Sequence, residues 1–455
     1  MNNQLDSWKV TAESGDLKSR ILIQARDIVH RQGVVHLDFK EIAAGLEVPV
    51  EEVLAVFPTM RSLIREMGHS LLEVLDSFVE QAVSKLPAGA SPSEKLAQVV
   101  MGYYEFSIQS PHLFYCIATE KTLPQKSRNS LFERFEGFEP FLFTLTENCL
   151  REIGKEAKGE DIADSQIDLA VTSAWATIHG VSLLSSVGIL RHLGAPIRKQ
   201  IILCAIENFI YGFKRQLTDP IEVATPELML DTLDCSRGAS IAPEDVFKSA
   251  TNPQALADAR DEISRYGVVA ISFEGATEEK HHKVASASAK FRNAMTHSAE
   301  VERHLDKQMA SFVKGAVFCN SRSMTPAEKL TNAAAGYLAW GLDDPDNFEA
   351  MVYVSTQSIV PTNFAESAAA FDMGEAFALM AECFTDLFLH EGAPEDPWLL
   401  FQQVLIGWAT VHGFVFLCSH GSLSEMDEEN QCTLLSHHAN FMLAGLLETI
   451  KRTES

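Results

Sequence analysis

The chain has 455 residues, of which 46% are hydrophobic and 22% are charged, so it is long enough for several folded domains and its composition excludes wholesale disorder. The formal net charge of -25 excludes broad attraction to nucleic-acid phosphates, which depends on Lys and Arg releasing counterions. Any contact with DNA must therefore be local.

Helical periodicity runs through nearly the whole chain. Apolar residues recur at three- and four-residue intervals in SRILIQARDIVHRQG (19–33) and in PSEKLAQVVMGYYEFSIQSP (92–111), and no region alternates with the two-residue period of a strand. Gly33 is expected to end the first helix, and Ser91 followed by Glu94 is typical of a capped helix start. The sequence therefore predicts an all-α fold.

The chain also contains an internal repeat. The matching segments are QARDIVHRQGVVHLDF (24–39) with DARDEISRYGVVAISF (258–273), and AWATIHG (174–180) with GWATVHG (407–413). The separation between the copies changes by a single residue over this span, which chance does not explain. The sequence therefore predicts a tandem duplication of a module of roughly 210 residues.

Cysteines and long apolar stretches bear on the compartment. Eight cysteines without a C-x-x-C pair predict reduced thiols in a cytoplasmic protein, and the polar N-terminus is unlike a signal peptide. Residues 169–190 and 397–424 lack Asp, Glu, Lys and Arg over a length that could cross a bilayer. Because both contain His and several Ser or Thr, we expect them to be buried within the protein and to stay out of a membrane.

Two sets of residues resemble a known family. The first is an apolar pattern within residues 20–63, made by Ile42, Ala43, Val48, Val53, Phe57 and Pro58. It resembles the N-terminal DNA-binding domain of TetR/AcrR-type transcriptional regulators. The second is the pattern W-x-x-x-H-G at 175–180 and again at 408–413, which resembles the ligand-binding region called the WHG domain. The resemblance implies two tandem TetR-like modules.

Applied to both copies, the resemblance implies five segments. They are a helix-turn-helix DNA-binding-like domain at 17–65, a helical ligand-binding and dimerisation domain at 66–217, a linker at 218–250, a degenerate helix-turn-helix-like domain at 251–299 and a second ligand-binding and dimerisation domain at 300–455. Family members work as two-fold homodimers that present two recognition helices about 34 Å apart. We therefore expect this chain to be a monomer with an internal pseudo-two-fold interface, a pseudo-dimer.

The first copy departs from the family at the positions that contact DNA. Where the family has small, polar, aromatic or basic residues, this sequence has Pro49, Val50, Glu51, Glu52, Leu54 and Met60. A carboxylate is repelled by phosphate, although glutamate can accept a hydrogen bond from a cytosine amino group. The resemblance therefore implies atypical or weakened DNA binding, and the glutamates could instead face a basic protein or water.

The second copy is more basic over the corresponding stretch. Its candidate DNA-contacting residues are Lys280, His281, His282, Lys283, Lys290 and Arg292. On charge alone this copy is the better candidate for contact with DNA. A solvated basic surface is the alternative interpretation.

Ten aromatic residues and histidines could line apolar ligand pockets between helices. They are Tyr103, Phe106, Phe114, Trp175, His179, Tyr337, Trp340, Phe348, Trp408 and His412. The alternative is that they are core residues, with the histidines hydrogen-bonded for structural reasons. No catalytic motif or metal-binding spacing is present, so the sequence predicts neither an enzyme nor a metal or cofactor.

Two functions remain. The first is a ligand-responsive TetR-type regulator built as a single-chain pseudo-dimer, with a small apolar ligand and operator DNA as partners. The second is a TetR-derived protein that has lost DNA binding and acts through a basic protein partner or as a ligand-binding protein.

Overall fold

The computed structural model describes residues 15–32, 37–118, 141–271, 294, 296–319, 324–354 and 374–453. Seventeen α-helices lie in this part of the chain, joined by turns and two short 3-10 helices. The described ranges contain no strand, and the prediction of an all-α fold is therefore confirmed.

Nine of these helices belong to the described part of the first half. They are α1 (Leu17–Gln32), α2 (Phe39–Leu46), α3 (Val50–Val56), α4 (Met60–Val83), α5 (Pro92–Gln109), α6 (Pro111–Ala118), α7 (Phe141–Lys158), α8 (Asp164–Ser186) and α9 (Ala195–Thr218). A single helix, α10 (Pro226–Ala239), lies in the segment that was predicted to be a linker. That segment is therefore folded along much of its length.

The described part of the second half contains seven helices. They are α11 (Pro253–Ile271), α12 (Ser298–Val317), α13 (Pro326–Asp343), α14 (Pro345–Val354), α15 (Glu375–His390), α16 (Pro397–Ser419) and α17 (Glu428–Thr453). The order of helices after α12 follows the order after α4 in the first half. Helices α5 and α13, which correspond in the two halves, both begin with a capping box. It is formed by Ser91 and Glu94 at α5 and by Thr325 and Glu328 at α13.

The first three helices pack against one another, with a tight turn between α2 and α3. Asp38 caps α2 by accepting a hydrogen bond from the backbone of Lys40, and Glu47 ends α2 in the left-handed conformation, with φ 56°. The turn places Val53 of α3 in the core, where it is fully buried with Ile42 and Phe57. The apolar side of α3 therefore packs inward, as its sequence predicts.

The two charge-free stretches form α8 and α16, which pack against each other across the middle of the protein. Both are long and apolar enough to cross a membrane, but 83% and 72% of their most apolar windows are buried inside the protein. Packing against protein on several sides accounts for their composition, and nothing in them points to a membrane. The expectation that these stretches are buried is confirmed.

One prediction about the cysteines is wrong. Cys235 of α10 and Cys319, just after α12, form a disulfide with a Cα–Cα distance of 5.4 Å, whereas all eight cysteines were expected to be reduced. The two residues are 84 positions apart, and only the packing of α10 on α12 brings them together. The other six cysteines are free, and five of these are buried.

Candidate functional site

One close contact between the two halves lies where α8 crosses α16. Gly180 and Gly413, the glycines of the repeated W-x-x-x-H-G pattern, face each other at this crossing. A Cβ atom on Gly180 would overlap the carbonyl oxygen of Ala409 and lie 2.6 Å from the nitrogen of Gly413. A Cβ on Gly413 would lie 2.6 Å from the Cα of Gly180. Two helix backbones are therefore in direct contact, in a reciprocal arrangement that only glycine allows.

A second crossing of the same kind joins α9 to α17. Gly212 and Gly445 have the same sequence separation as Gly180 and Gly413, and a Cβ on Gly212 would lie 2.9 Å from the nitrogen of Gly445. A Cβ on Gly445 would lie 2.6 Å from the carbonyl carbon of Asn208. Phe209 and Phe441 flank this crossing with ring centroids 6.0 Å apart. Four helices, two from each half, thus form one continuous interface.

A buried tyrosine is hydrogen-bonded to the histidine of each W-x-x-x-H-G pattern. The Tyr103 hydroxyl lies 2.9 Å from Nδ1 of His179, and the Tyr337 hydroxyl lies 2.9 Å from Nδ1 of His412. Burial lowers the pKa of each histidine to about 3, because a charged imidazole is costly away from water. Both histidines are therefore neutral at physiological pH.

The hydrogen-bond chain in the second half favours one position for the imidazole proton of His412. Trp408 donates its indole N–H to the Tyr337 oxygen over 3.2 Å. The Tyr337 hydroxyl is then free to donate to Nδ1 of His412, and the proton of the neutral ring lies on Nε2. Nε2 of His412, like Nε2 of His179, is buried without a hydrogen-bond partner among the described residues. An unpaired buried donor costs about 1–3 kcal/mol, so each Nε2–H could donate to an acceptor on an apolar molecule.

Aromatic rings surround both histidines. His179 lies between Phe114 and Phe416, with ring centroids 5.4 and 5.5 Å away, and Phe416 comes from the second half. His412 is stacked on Phe348 at 4.8 Å. The surroundings of each Nε2 are thus largely apolar.

The remaining candidate pocket residues have other aromatic or polar partners. Trp175 and Trp408 are half-buried and pack against Phe143 and Phe377, with ring centroids 5.4 and 5.9 Å apart. Phe106 is fully buried against Phe78 in the contact between α5 and α4, at 5.5 Å. It therefore packs as a core residue in this structure.

Trp340 takes part in a buried polar network that the sequence analysis missed. Its indole N–H donates to Oε1 of Gln308 over 3.0 Å, and Oε1 also accepts from the amide of Asn347 over 2.9 Å. The Asn347 and Gln308 amides both donate to Oδ2 of Asp344, and Arg260 of α11 donates to Oδ1 of Asn347 over 2.6 Å. The network connects α11 to the helices that carry the second candidate pocket.

A second missed feature is the contact between Tyr115 and Glu349. These residues are 234 positions apart, which is the separation of the repeat, so each is the counterpart of the other and they meet where the halves join. The Tyr115 hydroxyl donates to the Glu349 carboxyl group, and Nε2 of His420 lies 4.0 Å from Oε2 of Glu349. Burial raises the pKa of Glu349 to about 7.

The raised pKa of Glu349 makes stability depend on pH. Below its unfolded pKa near 4.5 the carboxyl group is protonated in both states, and stability is lost as pH rises through 7, because only the unfolded state ionises readily. Glu349→Gln cannot ionise, so we expect it to be about 3 kcal/mol more stable than the wild type at pH 8 and no more stable at pH 4.5. Urea denaturation at both pH values measures this difference.

The exposed residue Glu51 provides the control for this measurement. Glu51→Gln makes the same chemical change at an exposed position of α3, away from the contact between the halves. If Glu349→Gln gave the same gain at both pH values, the ionisation of Glu349 would not be its cause.

The outer surface of α3 presents acidic and apolar side chains. Pro49, Glu51, Glu52 and Leu54 are exposed, and Leu54 retains 38% of its accessible surface. Val50 and Met60 are half-buried. No basic residue belongs to α3. The basic candidates of the second copy, from Lys280 to Arg292, lie outside the described residues.

The comparisons with known proteins identify part of the second half. The fold and the interface are those of an all-α protein with two similar helical halves, and residues 330–439 match the family described as "Tetracyclin repressor-like, C-terminal domain". The match covers α14, α15 and α16, with Trp408 and His412, and most of α13. No curated protein matches the chain. The described residues contain no group of His, Cys, Asp and Glu that could hold a metal ion.

Proposed function

We propose that the protein is a TetR-type transcriptional regulator built as a single-chain pseudo-dimer, which senses a small apolar ligand and binds DNA weakly or atypically. The family match in residues 330–439 carries the assignment to a TetR-like regulator. The repeated W-x-x-x-H-G pattern supports extending it to the first half. On this proposal the chain is a tandem duplication, and it acts as a cytoplasmic monomer.

The reciprocal glycine crossings support the pseudo-dimer. In a two-fold interface, if residue i of one subunit contacts residue j of the other, then j of the first also contacts i of the second. Gly180 and Gly413 obey this rule, and so do Gly212 and Gly445. Tyr115 and Glu349 are corresponding positions of the two halves, and corresponding positions contact each other at a two-fold axis. A single-chain protein should therefore elute as a monomer in size-exclusion chromatography with light scattering, and an obligate dimer held by α8 and α16 would contradict the proposal.

The two unpaired histidine donors support ligand sensing. Each Nε2–H lies among aromatic rings and lacks an acceptor among the described residues. A mostly apolar molecule that carries one carbonyl or ether oxygen would satisfy such a donor. We assign Tyr337, Phe348, Trp408 and His412 to this role in the second half. Their counterparts Tyr103, Phe114, Trp175 and His179 take the role in the first half.

The second candidate function follows from the surface of α3. Glu51 and Glu52 are exposed on a helix without a basic residue, and this favours a protein that has abandoned DNA. On this alternative the acidic surface of α3 faces a basic protein partner, and the histidines retain the ligand. The two functions differ in whether the purified chain binds duplex DNA.

Titration by fluorescence anisotropy distinguishes the two functions. The full chain is titrated into labelled duplex from its own upstream region and into random duplex, at low and at moderate salt. A regulator is expected to bind its own region at least about tenfold more tightly than random duplex. Absence of binding at micromolar protein and low salt would reject operator binding in that region and favour the alternative.

The double variant Glu51→Gln with Glu52→Gln tests whether α3 faces the phosphates. If it does, removing the two carboxylates should raise affinity for both duplexes, because each removes repulsion by phosphate. Glu349→Gln, a change at a site between the halves, is the matched control and should leave affinity unchanged. Equal affinities for the wild type and the double variant would place the contact elsewhere.

A further inference from the structure

The segment that precedes α11 is held along the length of α12. Residues 235–246, which we call the strap, run antiparallel to this helix. Ser236 donates to the carbonyl of Phe312 over 2.7 Å, the nitrogen of Ile241 donates to Ser311 over 2.9 Å, and Nδ1 of His304 lies 3.0 Å from the carbonyl of Val246. The contacts thus follow α12 from its end back towards its start.

The strap and α12 approach each other most closely near the end of α12. A Cβ on Gly315 would lie 2.9 Å from the carbonyl oxygen of Ser236, so the two backbones are nearly in contact there. Arg237, next in the chain, donates to both carboxylate oxygens of Asp343 and to both of Glu428, at 2.6–3.0 Å. The Cys235–Cys319 disulfide closes the same end of the contact. Arg237 thus ties the strap to α13 and α17, while Ser236 and the disulfide hold it at the end of α12.

Accessibility separates this cysteine pair from most of the other thiols. Cys235 and Cys319 are both partly exposed, whereas Cys116, Cys149, Cys383, Cys418 and Cys432 are buried. Cys204 is also partly exposed, but it is 31 and 115 positions away from Cys235 and Cys319 and forms no disulfide, and burial raises the pKa of its thiol. Thiol–disulfide exchange requires that a thiolate reach a sulfur atom, so the pair 235–319 is open to such attack.

We propose that Cys235 and Cys319 form a reversible redox site whose co-substrate is a dithiol reductant, and that its disulfide locks the strap to α12. In the reducing direction a thiolate of the dithiol attacks one sulfur, the Cys235–Cys319 bond breaks, and the other cysteine leaves as a thiolate that takes up a proton. The second thiol of the reductant then attacks the mixed disulfide. Two electrons and two protons reach the cysteine pair, and the dithiol becomes a disulfide. Glutathione disulfide reverses the process by two exchanges.

The bond has a structural consequence for the second half. The covalent ring it closes contains all of residues 251–299, the segment predicted to be a degenerate helix-turn-helix, and α12 leads from that segment into the core. When the disulfide is reduced, the hydrogen bonds of Ser236 and Arg237 still hold the strap. Reduction therefore makes the strap more mobile while the protein stays folded. Disulfides in reducing compartments are usually transient or redox-sensing, and a partly exposed pair fits that use. This inference is independent of the proposed regulatory function.

Differential alkylation of the folded full chain tests the site. The protein is equilibrated with glutathione disulfide or with dithiothreitol, alkylated with iodoacetamide without denaturant, and analysed by mass spectrometry. Cys235 and Cys319 should be protected after the oxidant and alkylated after the reductant, and the cycle should repeat on reoxidation. Alkylation of both cysteines after the oxidant, or protection of both after dithiothreitol, would overturn the proposal.

Hydrogen exchange tests the lock on the strap. Amides in 235–246 and in 304–319 should exchange on the order of tenfold faster after reduction, while those of α8 should not change. Cys235→Ser should exchange like the reduced wild type and be insensitive to dithiothreitol, and Cys319→Ser serves the same purpose if the first variant misfolds. Cys204→Ser, the matched control, should respond to dithiothreitol as the wild type does. Identical exchange of the strap in oxidised and reduced wild type would show that the bond does not lock it.

Discussion

Replacing Gly180 with alanine is expected to lower the free energy of unfolding by at least about 3 kcal/mol. The new methyl group would overlap the carbonyl oxygen of Ala409 and lie 2.6 Å from the nitrogen of Gly413. These are backbone atoms of a buried helix, so no side chain can rotate away, and α8 and α16 must move apart. Urea denaturation followed by circular dichroism measures the loss.

Gly238 provides the control for this substitution. It lies in helix α10, and a Cβ added there meets no atom within 4 Å. Gly238→Ala should therefore gain up to about 1 kcal/mol from helix propensity alone. Gly180→Ala combined with Gly413→Ala should cost less than the sum of the single changes, because both relieve the same contact. A Gly180→Ala protein as stable as the wild type would mean that the two backbones are not in contact.

The sequence predicted the elements that depend on local patterns. Apolar residues at helical spacing predicted an all-α chain, and the absence of charge from 169–190 and 397–424 predicted buried helices. The capped start at Ser91 follows from the serine and from Glu94 three residues later. In each case the signal is carried by residues that are close in sequence, and the physical cause, burial or capping, acts over the same short range.

The features that the sequence did not predict depend on contacts between distant helices. The spacing of Cys235 and Cys319 in the sequence does not indicate that they form a disulfide, because their pairing requires α10 to pack on α12. Tyr115 and Glu349 are unremarkable within their own helices. Their separation of 234 positions, the same as that between the two repeated segments, is the only indication in the sequence that they could meet.

The contact between Tyr115 and Glu349 also bears on why the halves differ. Two copies of the second half, paired in the same way, would place two Glu349 carboxyl groups against each other in a buried site. The repulsion would keep one of them protonated or push the copies apart. The phenol of the first half instead donates to the carboxyl group. The difference at this one position therefore favours pairing within the chain over pairing of second halves.

The two halves also differ in how the first helix of each half, α1 or α11, packs against the core. The positions of Trp340, Asp344 and Asn347 correspond to Phe106, Ser110 and Leu113 in the first half, where the contact is largely apolar. A hydrogen bond fixes direction as well as distance, whereas an apolar contact permits small shifts. In the second half, Arg260 of α11 thus holds Asn347 of α14, and Gln308 links Asn347 to Trp340 on the helix that carries Tyr337.

Asn347→Leu, which imports the residue of the first half, is expected to cost about 3 kcal/mol of unfolding free energy. It removes two donors and one acceptor from a site that is 1% exposed, leaving Arg260 and Asp344 short of a partner. Burial already raises the pKa of Asp344, so losing a donor penalises its charged form further. Combining Asn347→Leu with Asp344→Ser removes that charge and should recover part of the loss, measured by urea denaturation of both variants. Equal stability of Asn347→Leu and the wild type would mean that the network contributes nothing, and α11 would then be held by apolar contacts alone.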